Sequence, residues 1–285
     1  MKRLTILLVS LLIVACTTTA TRQQEGGITF IHLNDIYRVG TVEDGKRGGL
    51  SRVVTLVRAL QAEGRDVRLL HGGDFLYPSL ESQLWQGMQI VDAFNFMDAV
   101  APMYVVAGNH EFDPRTADHL IEAVKASDFD WVGDNYRFAT GDAAVDGALH
   151  QQFMFEAAGR RVGVFGLLLH VSEGGNDRDY VPTEPDFFAH AERAIRALDA
   201  AGADLIIGLT HLHLWTDVEI ATLRDEIMNA ERRLETAEQQ LALAEASLKE
   251  AQRARRSKEA ELRARLVAAN LALAVARKAL PDEVT

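Results

Sequence analysis

The sequence predicts an α/β domain built from stacked layers, followed by a long helical segment. Between residues 27 and 221, short apolar runs alternate with amphipathic stretches, and this alternation predicts strands and helices packed as layers. The amino-acid composition changes after Trp215. No glycine follows Gly208, no proline precedes Pro281 in this part of the chain, and Ala, Glu, Leu, Arg, Lys and Gln dominate. These residues favour helix.

Hydrophobic spacing places the individual elements of the first region. The segment Leu50–Ala62 carries Leu50, Val53, Val54 and Val57 at helical spacing and stops before Gly64, which predicts a helix. Further helices are predicted over 83–99, 116–125 and 187–200. Compact apolar runs predict strands over 28–33, 67–70, 103–106, 129–132, 153–156, 161–169 and 205–209.

The N-terminus has the pattern of an export signal. Lys2 and Arg3 precede an apolar stretch over 4–14 that is too short to span a bilayer, and the stretch ends before Cys16. This ending resembles the lipobox of bacterial lipoproteins. The resemblance implies a signal peptide over 1–15, a lipid on Cys16, a tether over 16–27, and attachment to the periplasmic face of a membrane, the outer one because Thr17 follows the cysteine. An ordinary cleaved signal is the alternative.

Charge and cysteine content exclude two classes of protein. The formal net charge is −11, whereas a general nucleic-acid binder presents a basic face. We therefore expect no nucleic-acid partner. Cys16 is the only cysteine, so a disulfide within the chain is excluded.

The segment over 222–280 has the spacing of a coiled coil. Leu234, Leu241 and Leu248 step by seven, and alanines step by seven between them: Ala230, Ala237, Ala244 and Ala251. Arg255 interrupts the register. One long helix and a helical hairpin turning near 253–257 both fit, and the lack of Gly or Pro favours the single helix. We expect association with another protein or with itself; a solvated lone helix is the alternative.

Polar residues follow several predicted strands at their C-terminal ends. These residues are Asp35, Asp74, Asn109, His110 and His211. Ligands of layered α/β sheets gather at this edge, so we expect the side chains to converge. Carboxylate, amide and imidazole groups are the ligands of metal centres that attack phosphate. Each residue alone has a simpler interpretation as a turn residue or a core histidine.

Five segments together resemble the 5′-nucleotidase family of calcineurin-like metallophosphoesterases. They are residues 30–37 (FIHLNDIY), 48–53 (GGLSRV), 72–79 (GGDFLYPS), 108–113 (GNHEFD) and 207–211 (IGLTH). The resemblance implies a metallophosphatase-like β-sandwich flanked by helices over 28–221. It also implies a pair of divalent or mixed-valence metal ions of the Mn, Zn, Fe or Mg class, and a small phosphorylated substrate such as a 5′-nucleotide.

The resemblance assigns roles to matching positions. It implies that Asp35 ligates a first metal, that Asp74 bridges two metals, and that Asn109 and His211 ligate the second. It makes His110 the catalytic histidine. Asp113 would orient the His110 imidazole, or cap the helix that follows, or both.

The sequence departs from the family pattern in three places. Tyr37 stands where the family has a histidine ligand, and we expect it to line the site rather than ligate, because phenol has an unperturbed pKa near 10. The family's last metal block, a Gly-His-x-His, is missing; His213 is either a bystander or a substitute ligand. The C-terminal substrate domain is also missing. The sandwich is therefore expected to be incomplete and metal occupancy partial.

Three interpretations remain open. The first is a lipid-anchored metal-dependent phosphoesterase. The second is a catalytically degenerate envelope lipoprotein that acts as an interaction module through its helix. The third is a truncation or frame change of the gene near Ala221.

Overall fold

A computed structural model of the chain describes residues 27–170 and 178–278, with side chains as far as 272. Strands β1 to β10 are Ile28–Leu33, Thr41–Val42, Arg47–Gly48, Asp66–His71, Met103–Val105, Asp130–Val132, Leu149–His150, Gln152–Ala157, Arg160–Leu168 and Leu205–His211. Helices α1 to α7 are Leu50–Ala62, Leu80–Trp85, Met88–Asp98, Asp118–Ala126, Ala143–Asp146, Phe187–Ala200 and Leu214–Lys278. The predicted signal peptide, Cys16 and the predicted tether up to residue 26 lie outside the described residues.

Two sheets form the core of the first region. One is entirely parallel, in the order β1-β4-β5-β6-β7, and the other has the order β10-β9-β8, with β9 parallel to β10 and antiparallel to β8. The sheets approach closely, since a Cβ on Gly166 of β9 would lie 2.5 Å from the Val132 carbonyl oxygen of β6. The predicted α/β fold is confirmed. In the part of the chain described, β1 and β10 end their sheets.

Buried aromatic and aliphatic side chains fill the space between helices and sheets. Phe75, Phe94 and Trp131 are almost fully buried, and the Phe75 ring packs at a tilt against both others, with centroids 5.0 Å apart for Phe75–Phe94 and 5.5 Å for Phe75–Trp131. Burial of each such side chain contributes on the order of 2 to 3 kcal/mol. Phe75 follows Asp74 directly, so this core fixes the loop that presents the carboxylate.

The predicted helix over 83–99 is wrong in one respect: it is two helices. α2 ends at Trp85 and α3 begins at Met88. Gln86 and Gly87 between them are both left-handed, with φ values of 54° and 84°, and a left-handed residue ends an α-helix. A Cβ on Gly87 would lie 2.8 Å from Leu76 Cδ2, so close packing on the loop after β4 imposes the break.

The C-terminal segment is one continuous helix, and the hairpin alternative is wrong. α7 has 65 residues, starts earlier than predicted, at Leu214, and is about 98 Å long at 1.5 Å per residue. The chain divides into two compact units at Ile220 and Ala221. Among the described helices, none combines the length and the apolar character needed to cross a membrane.

Candidate active site

Two aspartates lie at neighbouring strand ends in a backbone conformation that few residues adopt. Asp35 follows β1 and Asp74 follows β4, with φ values of 53° and 61°. Aspartate tolerates the left-handed region better than most residues, and such outliers concentrate at functional sites. Asp74 is almost fully buried and Asp35 is exposed. The backbone N–H of Asp35 donates to the Gly73 carbonyl at 3.2 Å, which ties the two loops together.

Glycines let the Asp74 loop meet the loop after β5. A Cβ on Gly73, whose φ is 96°, would collide with the backbone of Gly108, and a Cβ on Gly108 would collide with the Asp74 carboxylate. Only glycine allows this approach. As a result, the backbone N–H of His110 donates to Asp74 Oδ1 at 2.9 Å. Asn109 lies in the same turn, directly before a short 3-10 helix over His110–Phe112.

The buried carboxylate of Glu111 joins these two loops, a role that the sequence prediction missed. Glu111 is fully buried. Its oxygens accept the backbone N–H groups of Asp74 at 2.9 Å, Phe75 at 2.6 Å and Leu76 at 3.0 Å, and that of Gly108 as well. Burial, followed by the charge of Asp74, raises the pKa of Glu111, although the backbone donors oppose this shift. The only sequence signal was its place inside the 108–113 segment.

Tyr37 lies between the two aspartates. Its hydroxyl is 3.0 Å from Asp35 Oδ1 and 3.2 Å from Asp74 Oδ2 and donates to these carboxylates. Burial, then the charge of Asp74, raises the pKa of Tyr37 well above its usual value. The Tyr37 hydroxyl is thus held as a hydrogen-bond donor between the two carboxylates. Its lining role stays a prediction.

His211, the last residue of β10, points one ring nitrogen toward Asp74. Its Nδ1 is 2.7 Å from the Gly72 carbonyl oxygen and must donate to it, because a carbonyl only accepts. Nε2 is then unprotonated in the neutral ring and lies 3.6 Å from Asp74 Oδ2. A backbone carbonyl that fixes the tautomer in this way is the usual support of a metal-binding histidine.

His110 and Asp113 form a pair beside Asp74. His110 Nδ1 lies 2.9 Å from Asp113 Oδ2, and His110 Nε2 lies 3.9 Å from Asp74 Oδ2. Partial burial lowers the pKa of His110, but the hydrogen bond with Asp113 and the charge of Asp74 outweigh it, so that the pKa is raised overall. His110 is thus oriented by one carboxylate and faces another.

Arg178 and Tyr180 also hold the Asp113 loop, a role that the sequence analysis did not predict. Arg178 Nη2 donates to the Asp113 carbonyl at 2.9 Å, and Arg178 Nε donates to the Pro114 carbonyl at 3.0 Å. The Tyr180 hydroxyl donates to the same Pro114 carbonyl at 2.7 Å. These contacts fix the loop that carries the His110 partner.

His213 directly precedes α7 and packs against an aromatic side chain. Its ring stacks on Trp215 with centroids 4.5 Å apart and an interplanar angle of 16°. His213 lines a cleft of about 510 Å³ beside the site, together with His32, Asn34, Asp35, His211, Asp217 and apolar residues of β10. The cleft leaves room for a small ligand next to Asp35 and His211.

The donor set fits one metal ion better than two. Asp74 and His211 face each other, and Asn109 lies in the adjoining turn, which gives carboxylate, imidazole and amide donors. The Asp35 side offers a carboxylate and the Tyr37 phenol instead of a carboxylate and an imidazole. Across the described ranges, no three His, Cys, Asp or Glu side chains form a group that could hold a metal ion.

Comparisons with known proteins extend these observations. The sequence profile of the calcineurin-like phosphoesterase family matches residues 28–236. A probable 5′-nucleotidase of Treponema pallidum is 27% identical over 229 residues, which cover 75% of this chain and 37% of that protein. A snake venom 5′-nucleotidase of Gloydius brevicauda is 25% identical over 210 residues, or 68% of this chain and 34% of that protein.

Solved structures show the same fold. The 5′-nucleotidase precursor of Thermus thermophilus aligns with a TM-score of 0.58 and 25% identity, covering 67% of this chain and 38% of that one. The NAD nucleotidase of Haemophilus influenzae aligns with a TM-score of 0.56 and 23% identity, covering 67% and 35%. The chain thus spans about a third of the length of these relatives. Because the family profile matches well over half of the sequence, the chain belongs to the calcineurin-like phosphoesterase family.

Proposed function

We propose that this protein is a metal-dependent phosphoesterase that hydrolyses phosphate monoesters, with 5′-nucleotides as the substrate class to test first. Phosphoester hydrolysis is the chemistry of the family, whose members use a divalent metal pair. The observation that carries the proposal is the geometry around Asp74. His211 Nε2 lies 3.6 Å and His110 Nε2 lies 3.9 Å from Asp74 Oδ2.

Asp74, Asn109 and His211 would hold the metal in this proposal. The bound metal would supply Lewis-acid polarisation of the phosphoryl group and of the attacking water. Tight binding is favoured by the hydrogen bond from His211 Nδ1 to the Gly72 carbonyl, which orients the ring and, in the neutral tautomer, leaves Nε2 as the free donor atom for a metal. Asp35 adds negative charge on the other side of Tyr37. The identity of the metal, from the Mn, Zn, Fe or Mg class, is left to measurement.

His110 would give a proton to the leaving oxygen. Its pKa is raised, which favours the protonated ring. Asp113, at 2.9 Å, orients the ring and stabilises its protonated form. Tyr37 would line the site and hold its proton between the aspartates. The adjoining cleft of about 510 Å³ has room for the group esterified to phosphate.

Turnover by the purified protein tests this proposal. The chain would be loaded separately with Mn, Zn, Fe and Mg, and hydrolysis of an aryl phosphate and of nucleoside monophosphates would be followed. Asp74→Asn is the inactive comparison, and Asp92→Asn is a control on α3 away from the site. We expect metal-dependent turnover that Asp74→Asn lowers at least about 100-fold. No turnover above Asp74→Asn with any metal would refute the enzymatic proposal.

One observation favours a second function, that of an interaction module. The side chains of Leu234, Leu241 and Leu248 on α7 are all more than half exposed. An inactive domain anchored in the envelope would then serve to present this helix. Absence of turnover together with a partner on α7 would support this second function.

Membrane attachment through Cys16 is a separate part of the proposal. It rests on the lipobox-like sequence before Cys16. Incorporation of labelled palmitate into the full chain in bacteria, and its loss in Cys16→Ser, is the expected result. Equal labelling of both chains would contradict it.

A further inference from the structure

We propose that residues 230–251 of α7 pair with the same residues of a second copy of this chain, forming a parallel, in-register, two-stranded coiled coil. The stripe is exposed: Leu234 is 60%, Leu241 61% and Leu248 58% accessible. A long helix gains little stability in water from its own hydrogen bonds, and most of it comes from packing an apolar face. Within the described residues nothing covers this stripe.

The register follows from the spacing of the two apolar rows. Alanine falls three residues after each leucine, and the next leucine four residues later, so leucine takes position a and alanine position d of a heptad. The leucines and alanines together form the seam of the coiled coil. Because the average repeat is 3.5 residues, a left-handed supercoil keeps this seam facing one partner. The small alanines at d let two backbones approach closely.

Charges beside the seam select a parallel arrangement of two identical helices. Position e is glutamate in three successive heptads, at Glu231, Glu238 and Glu245. In an antiparallel pair, e faces e, so these glutamates would repel one another. In a parallel pair, g faces e of the following heptad in the partner. Arg233 at g then faces Glu238 of the second copy.

The next heptad supports the same arrangement. Gln240 at g faces Glu245 of the second copy, as an amide donor to a carboxylate. One turn before the seam, Glu226 at g would face Glu231 of the second copy, which is unfavourable. Ile227, at the preceding a position, is already buried. The seam therefore begins near Ala230.

The C-terminal limit of the seam lies near Ala251. Arg255 takes the next leucine position and Lys258 the next alanine position. Leu262 falls on the leucine row again, 14 residues after Leu248, but Leu266 is displaced from that row by four residues, which is the stutter known from coiled coils. Arg255 Nε lies 3.0 Å from Glu259 Oε1. The regular heptads therefore end where Arg255 and Lys258 occupy the core positions.

Single cysteines report the orientation directly. Cys16→Ser removes the only native cysteine of the full chain, and Leu234→Cys, Leu248→Cys or Gln239→Cys is then added; Gln239 lies on the opposite face of the helix. Under mild oxidation we expect Leu234→Cys and Leu248→Cys each to form a disulfide with its own copy, at least about 5-fold above Gln239→Cys. Differently tagged 234 and 248 variants, when mixed, should give no mixed disulfide above that control.

Because an introduced cysteine can itself weaken the pair, the mass of the Cys16→Ser chain is measured separately by sedimentation. We expect the mass of two chains at micromolar concentration. Leu241→Asp should raise the dissociation constant at least about 10-fold, and Gln239→Asp should leave it unchanged. Disulfides at the control level, mixed 234–248 disulfides alone, or a single-chain mass at ~100 μM would overturn the proposal. Neither experiment depends on phosphoester hydrolysis, so this inference and the proposed function can fail separately.

Discussion

At the scale of single residues, Glu111 holds together the two loops that carry Asp74 and His110. One fully buried carboxylate accepts backbone N–H groups from both the Asp74 loop and the Gly108 turn. Loss of these bonds would leave buried donors without partners. A charged acceptor at this position therefore stabilises the fold and the site together.

Glu111→Gln tests this role with almost no change in volume. The amide has one oxygen, and its NH2 group would face backbone donors. We expect the free energy of unfolding to fall by about 2 to 4 kcal/mol, because hydrogen bonds to a buried charge are lost. Urea unfolding measures the change. The exposed Glu122→Gln on α4 is the matched control, and an equal effect of both substitutions would contradict the account.

His71 gives the stability a pH dependence of known sign. Burial, then the nearby rings of His32 and His211, lowers the pKa of His71 to about 3, against about 6.5 in the unfolded chain. Between these values the unfolded state binds a proton that the folded state does not, so stability falls as the pH falls below 6.5. At pH 5 the loss from this residue is about 2 kcal/mol.

Urea unfolding between pH 7 and pH 4, in the presence of a chelator, measures this effect. A His71→Gln chain is less stable at every pH, but its stability should fall less steeply with acid than that of the native chain. The comparison uses the slope with pH, so the lost hydrogen bond from Gly73 N–H to His71 Nδ1 does not enter it. Parallel slopes would show that His71 is not held neutral.

At the scale of elements, the sequence predicted most strands and helices but not the break between α2 and α3. Asp35, Asp74 and His211 were expected at strand ends because apolar runs stop just before them, and the structure places them there. Gly87 is the one local signal of an interruption, but Gln86 is a good helix former and a single glycine inside a helical pattern does not by itself predict a break. The contact of Gly87 with Leu76 is tertiary, and spacing along the chain does not reveal it.

Gly87→Ala tests the origin of this break. Ala in the left-handed region and against Leu76 is expected to lower the free energy of unfolding by about 1 to 3 kcal/mol. Gln86→Gly, at the neighbouring left-handed residue, should leave stability unchanged or raise it. Thermal unfolding of both variants provides the measurement. If Gly87→Ala is as stable as the native chain, the packing does not impose the break.

At the scale of the whole molecule, the family and the site location follow from the sequence, whereas the details of the donor set do not. Asp74, Asn109 and His211 were predicted as metal ligands because five segments of the sequence resemble the family's blocks in the same order. In the structure, these residues lie at or after the ends of β4, β5 and β10, which are strands with parallel neighbours. The sequence showed that Tyr37 replaces a histidine; only the structure shows its hydroxyl between two carboxylates. The role of Glu111 was hidden because it depends on contacts 35 to 37 residues away in sequence.

The most direct test of the account is calorimetric titration of the metal-free chain with Mn and Zn. We expect one tight site per chain, because Asp74, Asn109 and His211 form one donor set. His211→Ala should weaken binding at least about 10-fold, and Tyr37→Phe should leave the stoichiometry at one. Two tight sites that require Tyr37, or binding of unchanged strength in His211→Ala, would contradict the account.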